Sequence, residues 1–213
     1  VLASVSEKED VLKECRKKNV PVVQVDRQID DEDTNAVLWE DFRLAYTLAE
    51  HVIDKGHTNV AIENTRLGCS TGQHRLQGYL EAFRSQGIRI DEENISASNF
   101  EMQDAYEHVK SLLEKPKCPT CIICSNNIMV KGSLKAIQEK GLSIPEDISI
   151  CCFGNIETNE YSLTDITNIQ QDTRLMGRKA GELLLSQINE ENHCSVKIKL
   201  SGKMIERSSV RQI

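Results

Sequence analysis

The chain has 213 residues, 39% of them apolar and 28% charged, with a formal net charge of −7; it is long enough for one large domain or two lobes around a buried core. No run approaches the ~18 apolar residues of a membrane span, residues 1–20 lack the order of a signal peptide, and the negative charge disfavours this segment as a nucleic-acid binder, since phosphate affinity comes largely from clustered Lys and Arg. Eight cysteines, several in apolar runs and two adjacent at Cys151 and Cys152, are unlike the disulfide framework of a small secreted domain and point to a reducing cytoplasm.

In chain order, "VLAS" reads as a short apolar strand, and Ser6 with Glu9 forms a capping box that opens a helix from Glu7 to Lys18. "VPVVQVD" is a second strand. From Phe42 the apolar residues Ala45, Leu48, Ala49, Val52 and Ile53 recur at helical spacing and Gly56 supplies the stop, followed at once by strand "NVAIE". The alternation continues: helix Gly72 to Gln86, a strand near Ile95, helix Met102 to Glu114, strand "TCIICS", helix Ile128 to Lys140, strand "ISICCFG". After Gly154 come a polar loop, a short strand "ITNIQQ", a helix from Thr173 to Ile188 and a last strand "SVKIKL". Unbroken apolar strands alternating with helices imply an α/β fold of parallel sheets flanked by helices on both faces.

The stretch "CPTCIIC", residues 118–124, has the double C-x-x-C spacing of metal ligands. In a strand each residue rises ~3.3 Å, so Cys121 and Cys124 stand ~10 Å apart on opposite faces and cannot share one ion. They read as buried small hydrophobes, as do Cys151 and Cys152, and neither a metal nor another cofactor is expected. The five histidines fall singly, four in charged or polar surroundings, and are read as surface residues.

No G-x-S-x-G, Walker loop, G-x-G-x-x-G or H-E-x-x-H is present, so no enzyme is indicated. The loop "NTRLGCSTGQHR", residues 64–75, has Gly68, Ser70, Thr71 and Gly72 where a strand meets a helix, suiting either an anion at a helix N-terminus or a plain turn with an N-cap. Ligands of parallel α/β sheets sit beyond the carboxyl ends of the strands, and Ser4, Asp26, Asn64, Asn126, Asn127 and Asn155 all follow strands. Singly, each suits a turn or cap equally well.

"VPVVQVDR" (20–27), "EHVIDKGHTNVAI" (50–62), "HRLQGYLEAFRSQGI" (74–88), "CSNNIMVKGSLKAIQEKGLSIPEDISICCFGN" (124–155), "SLTDITNIQQD" (162–172) and "MIERSSV" (204–210) resemble, in order and spacing, the effector-binding core of the lactose-repressor (LacI/GalR) family of bacterial transcription regulators. The resemblance covers nearly the whole chain and is most specific at "GLSIPEDISI" and the "IERSSV" ending. It implies a two-lobed, periplasmic-binding-protein-like (type I) fold, with residues 1–37 and 170–200 in an N-terminal lobe and 38–169 and 201–213 in a C-terminal lobe. A small effector, a sugar or related metabolite, would lie between them. By motif, Arg75 would be the principal effector-gripping cation, Ser4 and Asp26 would line the opposite lobe, Gln171 would sit near a crossing, Phe100 would stack on the ligand, and Asn126 and Asn127 would stand where the family has Asn-Asp. Arg75 has the alternative of a solvated helix residue or a surface ion pair. Gly154 occupies the place of a family aspartate, so two acidic positions of the family pocket are neutral here.

The resemblance also implies a cytoplasmic homodimer that meets operator DNA through an N-terminal helix-turn-helix. Neither that head nor the first two strand–helix units of the N-terminal lobe precedes Val1, so the lobe is expected to be incomplete and the chain a fragment. The competing reading is a secreted solute-binding protein of a transporter; an enzyme built on the 64–75 loop, without a nucleophile–base pair, ranks last.

Overall fold

The computed structural model describes residues 1–3, 10–29, 33–98, 101–156, 165–189 and 195–213; the Ser6/Glu9 capping box, Ser4 and Phe100 lie outside them. The chain divides into two compact units: Val1–Glu40 with Gly68–Thr71 and Asp172–Gly202, and Asp41–Leu67 with Gly72–Gln171 and Lys203–Ile213.

In the first unit, helix α1 (Asp10–Lys17) precedes strand β1 (Val23–Val25), strand β2 (Asn35–Trp39), helix α6 (Thr173–Ile188) and strand β8 (Lys197–Leu200). The sheet order is β1-β2-β8, all parallel, and Leu2 adds a parallel bridge to Gln24. Thus "VLAS" supplies a single bridge, and β2, which periodicity did not reveal, takes the centre of this sheet. Helix α6 packs on β1 and β2 and is capped by Asp172, whose carboxylate accepts from the Leu175 N–H at 2.9 Å.

The second unit holds α2 (Asp41–Asp54), β3 (Val60–Thr65), α3 (its helix running Ser70–Ser85), β4 (Ile95–Ser98), α4 (Met102–Leu113), β5 (Cys121–Cys124), α5 (Asn127–Glu139), β6 (Ser149–Phe153), β7 (Thr167–Gln170) and β9 (Lys203–Ile205). Its sheet order is β4-β3-β5-β6-β7-β9, parallel except for the last pair. Strands β3, β5 and β6 are buried along their whole length, which is why they read as continuous apolar runs.

The cysteines obey the two-residue strand period. Cys124 and Cys152, partners in the β5–β6 register, join the core beneath α4 and α5 with Ile122, Ile150, Val109 and Leu112. Cys121 and Cys151 meet on the other face. Burial pushes the Cys124, Cys151 and Cys152 thiols well above the ordinary range. Among the described residues no group of three or more His, Cys, Asp or Glu is placed to hold a metal ion, and no helix is long and apolar enough to cross a membrane.

Two histidines depart from the surface reading. His57 is fully buried, its Nε2 facing the Arg211 carbonyl at 3.1 Å and its Nδ1 the Thr120 hydroxyl at 2.8 Å, and His51 is buried on α2. Desolvation lowers both pKa values, against a weaker opposing pull from Glu206 on His51 and from the Arg211 carbonyl on His57. His108 of α4 is the opposite case. Its Nδ1 lies 2.6 Å from the carboxylate of Glu63, which is fully buried in β3 and also accepts from Ser96 Oγ at 2.6 Å, and its Nε2 lies 3.1 Å from the Glu93 carbonyl. Both ring nitrogens face acceptors, so the doubly protonated ring satisfies both. Burial opposes that charge, yet the bond to Glu63 and its negative charge outweigh it and hold the pKa above the ordinary histidine value.

These shifts act on stability in opposite directions. The raised His108 value stabilises the fold fully below about pH 6.5 and ceases to do so as pH rises through the folded-state value. The lowered His57 value contributes above about pH 6.5 and is lost as pH falls towards the folded-state value. Urea melts over pH 5 to 8.5, as rough limits, are expected to show the deficit of His108→Gln relative to wild type growing on acidification, and that of His57→Gln shrinking.

Candidate functional site

Because β3 to β7 of the second unit are parallel, their carboxyl ends share one rim: Asn64 and Thr65 end β3, Ser98 ends β4, Ser125 and Asn126 follow β5, Gly154 and Asn155 follow β6, and Gln171 follows β7. Helix α3 brings Arg75 to this rim one turn in from its start. The guanidinium is buried. Its Nε donates to Asp41 Oδ1 at 2.6 Å, its Nη1 donates to the Ser125 carbonyl at 2.8 Å, and its central carbon stands 3.9 Å from the centroid of the Phe153 ring. With side-chain exposures of 8% for Arg75 and 4% for Asp41, this is a buried ion pair reinforced by a cation–π contact, neither a solvated helix residue nor a surface pair.

Beside it lies a closed hydrogen-bond set. Asn64 donates to the carbonyls of Thr65 (2.8 Å) and Gly72 (3.0 Å) and accepts from Ser125 Oγ (2.8 Å). Asn64 therefore ties the end of β3 to α3 and to the end of β5 and has a structural task. Gly72 has no room for a side chain, because a Cβ there would stand 2.5 Å from the Arg66 carbonyl and 2.7 Å from Thr65 Oγ1. In the first unit, Ser70 Oγ accepts from the Gln28 N–H at 3.0 Å and Thr71 is buried. The 64–75 loop thus carries packing and turn duties at Asn64, Ser70 and Gly72.

Asn126 is the N-cap of α5, accepting from the N–H groups of Ile128 (2.8 Å) and Met129 (3.0 Å) with its single Oδ1. Asn127, the first helical residue, is exposed. Asn155 binds both backbone groups of Gln171, its Nδ2 donating to the carbonyl at 2.8 Å and its Oδ1 accepting from the N–H at 2.7 Å, which locks the ends of β6 and β7 together. Gly154 adopts φ +117°, and a Cβ there would meet only Gln171 Oε1, at 3.7 Å. That φ explains why glycine and not an L side chain stands at the position.

In the first unit, Asp26 follows β1 with φ +64°, held by its N–H to the Val37 carbonyl at 3.0 Å, and its carboxylate lies 3.6 Å from Arg27 Nε. A non-glycine residue in the left-handed region is a local strain of the kind found at binding sites, and aspartate tolerates it better than most. The second unit's rim thus brings Arg75, Asn126, Asn127 and Gln171 to one edge. Sequence reading did not find Asp41, Ser98, Ser125 or Phe153; an Asp opening a helix 34 residues before Arg75 carries no local sign of pairing with it.

Each half of the ion pair depends on the other, because removal of one partner leaves a buried uncompensated charge. Asp41→Asn and Arg75→Met should each cost about 3–5 kcal/mol of unfolding free energy. The double variant should cost clearly less than the sum. Urea denaturation of the four proteins measures the coupling; additive losses would contradict the pairing.

A family model for the periplasmic binding protein-like domain matches residues 49–210. Among curated relatives, the HTH-type transcriptional repressor PurR of Pasteurella multocida (strain Pm70) is 31% identical over 193 residues, covering 91% of this chain and 58% of the relative. "Probable HTH-type transcriptional repressor ExuR" of Bacillus subtilis (strain 168) is also 31% identical, covering 93% and 60%. The chain thus spans about three fifths of the length of these relatives, and equal identity to two differently named repressors selects a family without selecting a ligand. A solved LacI-family regulatory protein from Chloroflexus aggregans superposes with a TM-score of 0.88 at 26% identity, covering 98% of this chain and 75% of that one. The regulator CelR, in complex with cellobiose, shares the fold with a TM-score of 0.90 at 23% identity, covering 98% and 64%. The chain belongs to the periplasmic binding protein-like domain family, as an effector-binding core of the LacI/GalR type.

Proposed function

We propose that the chain is the effector-sensing part of a LacI/GalR-type transcription regulator, and that a sugar or related metabolite is its ligand. The observation that carries this is the rim of the second unit, where Arg75, Asn126, Asn127 and Gln171 stand together beyond the carboxyl ends of parallel strands, the usual ligand side of such sheets. Asp26 is assigned to effector binding from the first unit, and Ser4 and Phe100 join the assignment on the resemblance. No reaction is assigned to the chain. The relatives described are repressors, which favours this reading over a transporter's solute-binding protein.

On this reading the protein acts as a cytoplasmic homodimer, and DNA contact belongs to a helix-turn-helix head outside these 213 residues. The sequence-specific half of the activity therefore separates from the chain. In a gel shift at physiological salt the 213-residue chain should not retard duplex DNA, whereas the full-length gene product should retard a near-palindromic site, since a two-fold protein matches a two-fold operator. A metabolite that raises the melting temperature of the chain should change that retardation. Retardation by the chain alone, or a metabolite that stabilises it with no effect on the full-length complex, would contradict the proposal.

A further inference from the structure

At the end of β1, in the first unit, four consecutive backbone N–H groups each meet an acceptor. Asp26 donates to the Val37 carbonyl at 3.0 Å, Arg27 to the Val25 carbonyl at 2.6 Å, Gln28 to the Ser70 hydroxyl at 3.0 Å and Ile29 to the Gln24 side-chain oxygen at 2.8 Å. The second of these bonds spans a single residue, as in a γ-turn, and the φ of +64° at Asp26 in its centre has the sign of the rare, strained form. The other non-glycine residue with positive φ among those described, Asn19, closes α1 in an ordinary left-handed cap. Asp26 follows a strand, and no helix end requires its conformation.

Gln24 shows what holds it. This side chain is fully buried in the middle of β1 between two valines, with its oxygen on Ile29 and its Nε2 without a partner among the described residues. An apolar side chain would fill the place without stranding a donor, so the oxygen is what the position uses. Backbone strain persists only where its surroundings over-determine it, and here two side-chain acceptors, one from β1 and one from the start of α3, do so. Resting on the effector reading above, we propose that Gln24 and Ser70 are positioning residues, which hold Asp26 in a strained turn so that its half-buried carboxylate is fixed before the effector arrives. Such preorganisation reduces the ordering that binding requires and lowers the stability of the unliganded chain.

A thermal-melting cycle on the 213-residue chain tests the clamp without any ligand. Asp26→Gly removes the left-handed penalty and should raise the melting temperature by about 2 °C or more. In a Ser70→Ala background, where the turn is released, the gain should fall to about half or less; in Ser70→Thr, which keeps the oxygen, it should return. A gain that is absent from the wild-type background, or equal in all three, overturns the clamp. Calorimetry with ribose, glucose, cellobiose and glucuronate as probes tests its purpose. For a probe that binds, Asp26→Asn and Ser70→Ala should each weaken affinity about tenfold, with Ser70→Thr close to wild type. Gln24→Met, which removes the oxygen and keeps the volume, should repeat the Ser70→Ala result. An affinity untouched by Asp26→Asn overturns the proposal and leaves the effector reading standing. Binding by no probe counts against the effector reading itself, while the melting cycle still decides the clamp.

Discussion

The second unit is organised around one charge pair that has left water. Arg75 and Asp41 lie 2.6 Å apart in a buried setting, where desolvation is expensive and only good geometry compensates. The compensation is visible in the second bond of the guanidinium to the Ser125 carbonyl and in the Phe153 ring beneath it. Four pieces of chain, namely the start of α2, the first turns of α3 and the ends of β5 and β6, are therefore fixed by one cation. The Asn64 set adds the end of β3 to the same assembly. Polar groups are thus concentrated where the sheet stops, while the central strands β5 and β6 are apolar through their middle.

This arrangement separates two tasks that a strand-end residue can perform. Asn64 and Asn155 have their side-chain hydrogen-bonding groups occupied within the fold, whereas among the described residues Asn126 uses only one end of its amide and Gln171 Nε2 meets no partner. All four are amides at strand ends, and composition alone does not distinguish them. What does is the direction of the neighbouring backbone: an N-cap takes the oxygen and leaves the nitrogen, while a latch between two strand ends takes both.

The fold was largely legible because its strands are buried on both faces and its helices carry local stops. The helix Thr173–Ile188 coincides with its sequence-read bounds, and the helices after β3, β4 and β5 lie within two residues of theirs. Strand β2 escaped because "NAVLW" follows the acidic run 30–33 and runs straight into α2, with no turn residue to mark its end; its strand character comes from pairing with β1 and β8. β9, three residues of mixed exposure, depends similarly on β7. The cysteine motif was decided by strand period, a local property. At the site, Arg75 stood out through the motif "HRLQGY", yet its partners at positions 41, 125 and 153 are long-range neighbours. The histidines were misread for the same reason, since His57 owes its burial to Thr120 and Arg211, far away in sequence.

The placement of the thiols also equips the protein with an internal clock. Cys118 is exposed at the approach to β5, while Cys121, Cys124, Cys151 and Cys152 are sealed in the centre of the sheet, in pairs on its two faces. A thiol-specific reagent meets the first in the native state and the other four only when strands β5 and β6 part from each other or from the helices over them. The alternation that removes "CPTCIIC" from metal chemistry thereby turns it into a graded record of opening, readable at three native thiols within seven consecutive positions.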